Sequence, residues 1–199
     1  MKVLHLFSNS KWTGPAEPAL NLCVALRALG VEADFACAPG SPRFPNRIVE
    51  TARARGIEPL LQFRLDKHHH PLWNWRDARA LAQLLERTPY DLLHCHLHND
   101  HRIAVAANRR HRLPLVRTSY GGTGLEGRWM GRLLPHTRLL IEPSEMALAH
   151  DARKYGIPSD RLCVIPGAVD TARFDPGRSL PDGRARLHLK PDALLVGIV

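Results

Sequence analysis

A chain of 199 residues, 44% hydrophobic and 24% charged, holds enough apolar material for one generous globular core. No apolar run approaches the ~18 residues needed to span a bilayer, and the opening MKVLHLF is too short and too soon interrupted for a secretory leader, so a cytoplasmic location is expected. The formal net charge of +9 favours phosphates and anionic headgroups as partners, whereas no helix-turn-helix or aromatic-interleaved basic motif points to nucleic acid.

Short apolar runs alternate with helical patterns along the chain. Lys2–Phe7 reads as a strand, followed by the loop Ser8–Gly14. Apolar residues at 19, 20, 22, 23, 26 and 29 form a helical stripe closed by Gly30. Val31–Cys37 is expected to be the second strand, Asn46–Arg55 a helix stopped by Gly56, and Ile57–Phe63 a third strand. Arg64–Pro71, with His68, His69 and His70, reads as a solvated loop. Trp75–Glu86 carries a second helical stripe.

The remaining pattern repeats this alternation. Asp91–Cys95 is expected as a strand, Arg102–Arg112 as a helix, and Leu115–Thr118 and Arg138–Ile141 as strands. Ser144–Tyr155 reads as a helix ending at Gly156, and Leu162–Ile165 as a final strand. Strands separated by helices imply right-handed crossovers and a Rossmann-like α/β fold, doubly wound around a mostly parallel sheet. Ligands of such sheets gather beyond the C-terminal strand ends, which draws attention to the loops that follow strands.

Four of those loops carry chemistry. In Trp12-Thr13-Gly14-Pro15-Ala16-Glu17 the glycine allows close approach of a ligand, and the helix start favours an anion. In DLLHCHLHNDH, His94, His96 and His98 alternate, which on an extended segment places them on one face. Such a face suits acid–base work or, alternatively, a metal. Thr118-Ser119-Tyr120-Gly121-Gly122-Thr123-Gly124 is a glycine-rich loop after a strand. In Pro166–Asp170, Gly167 suits a positive-φ turn, Asp170 can bond nearby amides, and Phe174 can anchor the chain. Cys23, Cys37, Cys95 and Cys163 form no CxxC pair and read as reduced thiols.

Taken in order, these segments resemble the N-terminal half of a GT-B glycosyltransferase of the retaining, group 1 (GT4-like) type. Asp91-Leu92-Leu93-His94-Cys95-His96 is similar to that family's D-[IVL]-[IVL]-H-x-H strand, and Val116-Arg117-Thr118 to its V-x-T strand. Ser144 heads a helix as the family serine does. Val164–Phe174 resembles its V-I-P-N-G-V-D-x-x-x-F turn, and Leu195–Val199 the opening strand of its second domain. Three departures stand out. Gly14-Pro15 replaces a Gly-Gly pair, Pro166-Gly167-Ala168 replaces P-N-G, and Tyr120 occupies the place of the family's cleft histidine.

The resemblance implies residues 1–174 as an acceptor-side domain, 175–193 as a linker and 194–199 as the start of a second domain that would hold the donor. It implies sugar transfer from a nucleotide-sugar to a glycan or glycolipid acceptor, such as a lipopolysaccharide intermediate. No tightly bound cofactor or metal is implied, and contact with an anionic membrane and inactivity of this fragment alone are expected. The candidate catalytic residues are His96, His98 and Tyr120. Trp12, Thr13, Gly14, Glu17, Thr118, Gly121, Gly122, Ser144 and Asp170 are candidate substrate contacts. Two other readings remain open at this point: a non-catalytic nucleotide- or phosphate-binding module, and a His-metal hydrolase.

Overall fold

The computed structural model describes residues 1–40, 46–127, 129–171, 174–177, 183–190 and 192–196. The chain divides into two units, Met1–Gly167 and Ala168–Val199. The first unit is built on six strands: β1 (Lys2–Phe7), β2 (Glu32–Cys37), β3 (Leu92–Cys95), β4 (Leu115–Thr118), β5 (Leu139–Glu142) and β6 (Leu162–Val164). They form one sheet in the order β2-β1-β3-β4-β5-β6, and every pairing is parallel. From β1 the chain steps outward to β2 and then returns past β1 to β3. The strand order therefore reverses between β1 and β3, the place where such sheets open a crevice.

The intervening helices are α1 (Ala16–Ala28), α2 (Arg47–Ala54), α3 (Pro71–Arg87), α4 (His98–Ala107), α5 (Met130–Leu133) and α6 (Glu145–Tyr155). Strand periodicity divides the core between the two faces of the sheet. Phe7, Phe35 and Cys37 pack with Leu20, Cys23 and Ile48 of α1 and α2. Leu4, Leu6, Leu93 and Leu140 pack on the other side with Leu81, Leu85, Ile103 and Ala104 of α3 and α4. Each fully buried Phe or Leu contributes about 1.5–3 kcal/mol.

Helix ends follow local chemistry. Asn46 caps α2, its Oδ1 accepting from Ile48 N at 3.0 Å, and Ser144 caps α6, its Oγ accepting from Ala147 N at 3.2 Å. Gly156 closes α6 in a left-handed conformation at φ 62°.

The expected strand Ile57–Phe63 is not formed. Leu60 alone bridges to Ala36, because Pro59 offers no N–H and Asp77 draws away the amides of Arg64 and Leu65 at 2.9 Å each. The helix expected at Arg102–Arg112 begins at His98 and ends at Ala107. Asp100 starts it, accepting from Leu97 N at 2.9 and 3.0 Å. His98 is thus helical and does not share an extended face with His94 and His96. The helix expected from Trp75 already starts at Pro71, a residue suited to a first helical turn, with the His70 ring as cap.

Among the described residues of the second unit is a short helix, α7 (Gly183–Arg186), inside the stretch expected to be a linker. Asp170 O accepts from Phe174 N at 2.9 Å, and Phe174 is 60% exposed. Gly167, at the end of the first unit, does not take the positive φ expected of it. Leu194, Leu195 and Val196 are exposed and belong to no strand, and Gly197–Val199 lie outside the described residues.

Candidate functional site

The loops at the β1/β3 crevice are joined by a buried clasp. Asp100 Oδ2 accepts from Ser8 N at 2.8 Å, and Ser8 Oγ accepts from Asp100 N at 3.0 Å. Both residues are fully buried. Burial lifts the Asp100 carboxyl to about 6, against the pull of Arg117 and of the amides it accepts. The clasp fixes the loop after β1 to the first turn of α4. Asp100 was legible in principle, since an acid three residues beyond a helix boundary is a capping signal. It went unread because the helix was expected to start later.

Beneath the crevice lies a histidine cluster. Parallel register sets His5 of β1 beside His94 of β3, with His96 just beyond the strand end. His5 Nδ1 and His96 Nε2 face each other at 3.0 Å, and His96 Nδ1 meets Tyr120 Oη at 2.6 Å. His94 Nε2 meets Thr118 Oγ1 at 2.7 Å. Burial is the leading cause that lowers the pKa of all three rings, with His5 brought to about 4, so they are neutral near pH 7.

One ring nitrogen from each of His5, His94 and His96 lies within 4.8 Å of the others, so among the described residues these could hold a metal. However, His94 and His96 stack at 4.4 Å and 21°, and His5 and His96 are inclined by only 19°. His5 and His96, inclined by so little, meet edge to edge at their nitrogens, the geometry of an in-plane hydrogen bond. The 3.0 Å contact is the length of one N–H···N hydrogen bond. The arrangement is a hydrogen-bonded chain that ends at Tyr120.

The structure brings His96, beyond β3, against Tyr120 in the loop after β4 that also carries Gly121 and Gly122, with Thr118 ending β4. His96 is 0% exposed, so it meets a ligand only through Tyr120, which is partly exposed. His98 is exposed, but its Nε2 donates to Glu126 O at 2.6 Å and so steadies the glycine loop. Tyr120 is not primed as a base, because burial pushes its phenol above the usual range.

Across the crevice, Gly14 is exposed, and a Cβ added there would meet no atom within 4 Å. Trp12 packs on the α1 face with Arg47 over its ring at 5.5 Å, and Glu17 pairs with Arg55 at 3.6 Å. The Ser144 hydroxyl is engaged as the cap of α6. Asp170 lies exposed in the second unit.

Several functional-looking groups escaped the sequence reading. Arg117 is 2% exposed and donates to the carbonyls of Cys95 and Thr118. Its charge helps to keep His94 and His96 neutral. Glu142 ends β5 fully buried, and burial followed by the nearby Asp151 raises its carboxyl to about 8. A charged residue inside a short apolar strand was the available signal for both. Beside the loop after β1, Lys11 and Lys67 with His68 and His69 line a cleft of about 470 Å³.

Residues 13–173 match the family model described as Glycosyltransferase Family 4. A curated D-inositol 3-phosphate glycosyltransferase from Nocardia farcinica is 27% identical over 139 residues, which covers 61% of this chain and 31% of that protein. A glycosyltransferase from Rickettsia africae superposes with a TM-score of 0.75 at 15% identity, covering 94% of this chain and 48% of that one. Anabaena Alr3699/HepE, solved with UDP and glucose, gives a TM-score of 0.70 at 15% identity, covering 94% and 49%. The fold is shared with UDP-GlcNAc 2-epimerase from Neisseria meningitidis, with a TM-score of 0.64 at 16% identity over 82% and 45%. The chain thus spans about a third of the length of the curated relative and about half that of the solved structures.

Proposed function

We propose that this chain, which belongs to Glycosyltransferase Family 4, is the acceptor-side half of a retaining transferase. On this reading a nucleotide-sugar is held by a second domain and closed upon by the loops at the β1/β3 crevice. The observation that carries it is the family match across residues 13–173 on a sheet whose clustered loops lie at its strand-order reversal. The acceptor is a cell-envelope glycan or glycolipid, such as a lipopolysaccharide intermediate.

The chemistry asked of this half is modest. The loops after β1 and β4 position the acceptor hydroxyl, and Tyr120 gives a hydrogen bond to a sugar or phosphate oxygen. The anionic leaving group is stabilised by basic side chains and helix starts, with no resident metal required. Rate gain then comes from holding two substrates together in one cleft, which a single half does not achieve.

Transfer from UDP-hexoses is the direct test, measured on the 199-residue chain and on the same chain joined to the reading frame that follows it. The joined protein is expected to transfer and the chain alone to be inactive. Activity of the chain alone, or a joined protein that only epimerises its sugar nucleotide, rejects the reading.

The basic surface favours peripheral contact with an anionic membrane. Arg102 and Arg132 flank the ring of Trp129 at 5.2 and 4.8 Å, and Trp75 is 58% exposed beside Arg79. Among the described residues no helix is long and apolar enough to cross a membrane. Weak, salt-sensitive sedimentation with anionic vesicles is expected, and equal binding to neutral vesicles contradicts it.

A further inference from the structure

We infer that the cleft beside the loop after β1 is a subsite for the phosphate of a phosphorylated sugar or polyol, free or as a lipid headgroup. One wall is Asn9, Lys11 and Thr13, and the other is the segment 66–70, which contributes Lys67, His68 and His69. Neither lysine is paired with a carboxylate among the described residues. Asp66, the one acid on the cleft, is already held by Arg64 Nε at 2.5 Å. The lining is therefore net basic through Lys11 and Lys67, and its volume of about 470 Å³ suits one monosaccharide bearing a phosphate.

The basic wall is built rather than incidental. Asn99 Nδ2 donates to Asp66 O at 2.8 Å and to His68 O at 3.4 Å. Asn74 Nδ2 donates to Asn99 Oδ1 at 2.6 Å, and Asn74 Oδ1 accepts from His70 N at 3.2 Å. Asp77 holds Arg64 N and Leu65 N, each at 2.9 Å. Asn74, Asp77 and Asn99 are all buried. Three buried polar side chains from α3 and α4 are thus spent on the shape of an exposed basic loop. Burying them costs free energy that a solvated connection has no use for. Fixing lysine and histidine along a cleft wall gives that cost a purpose, because preorganised donors bind an anion without paying for their own ordering.

That the ligand is the acceptor rests on the transferase reading; its phosphate does not. Titration of the 199-residue chain, followed by calorimetry and amide shifts, uses four probes: glucose 6-phosphate, glucose, dihexanoyl phosphatidylinositol and UDP. Saturable binding of glucose 6-phosphate, a monoester, or of the lipid, whose phosphate is a diester, is expected, with shifts at Lys11, Thr13 and Lys67–His70. Glucose 6-phosphate alone assigns a soluble sugar phosphate, and the lipid alone assigns a membrane-borne headgroup. Lys11→Ala and Lys67→Ala each weaken binding about tenfold, the scale of one charge-assisted hydrogen bond, without lowering the melting midpoint. Glucose binding as tightly as its phosphate, or lysine variants that bind normally, overturns the inference. UDP displacing the sugar phosphate from the same residues assigns the cleft to the donor and overturns the acceptor role alone.

Discussion

At the scale of single residues, the histidine chain sets the direction in which Tyr120 offers its hydroxyl. His5 Nε2 is buried and has no partner among the described residues. If His5 donates from Nδ1 to His96 Nε2, that orphan is a bare lone pair, His96 donates from Nδ1 to Tyr120, and the phenol proton points outward. The opposite polarity leaves a buried N–H with no acceptor, the rarer defect in proteins. Long-range proton–nitrogen correlation spectra should therefore find both His5 and His96 protonated on Nδ1. A His96 protonated on Nε2 reverses the chain: Tyr120 then donates to His96 Nδ1 and offers a ligand only its lone pairs. His94 and His96 were legible from their alternation at the end of the third strand, and Tyr120 only from the place it takes in the family resemblance. His5 was not, since a lone histidine in an opening strand gives no sign of the neighbour it will meet across the sheet.

At the scale of elements, the sequence patterns located every strand of the sheet but misjudged where polar residues begin a helix. Asn99, Asp100 and His101 looked like loop residues because their partners are distant in sequence: Asn74, Ser8 and Thr137. Ile57–Phe63 looked like a strand because apolar content outweighed one proline. The lysine cleft was hidden for the same reason, its two walls being contributed by segments far apart in the chain.

The glycine loop between β4 and α5 gives a test at this level. Gly124 sits at φ 91°, and a Cβ there would lie 2.5 Å from Asp151 Oδ1 and 2.7 Å from His150 Nδ1 of α6. Asp151 also accepts from Leu125 N at 2.8 Å, tying loop to helix. Gly124→Ala should cost about 1–3 kcal/mol in denaturant unfolding. Gly14→Ala should leave stability within about 0.5 kcal/mol, since nothing occupies the space. Equal losses for the two variants contradict the packing described.

For the whole molecule, the buried ionisable groups act in opposite directions with pH. His5, His94, His96 and His101 have lowered pKa values, so the unfolded chain binds more protons below about 6.5 and stability is lost as pH falls through that range. Glu142, raised to about 8, and Asp100, raised to about 6, bind protons more readily when folded. Their effect is a loss of stability as pH rises above the ordinary carboxylate range, complete for Asp100 near 6 and for Glu142 near 8. The four histidines outweigh the raised carboxyls Asp77, Asp100 and Glu142 below 6.5, and Glu142 dominates between 6.5 and 8. The melting midpoint should therefore peak near pH 6.5, the steeper fall lying on the acid side. Glu142→Gln should flatten the limb between 6.5 and 8 by on the order of 1–2 kcal/mol. An unchanged alkaline limb in that variant contradicts the assignment.

The paired Ser8–Asp100 hydrogen bonds have a mechanical consequence. Two loops that would otherwise drift separately are welded into one stiff lip, so pressure from a guest on Trp12–Gly14 is passed straight to the start of α4. Diversification of such a lip can then proceed by exchanging its outward side chains while the hinge beneath stays untouched.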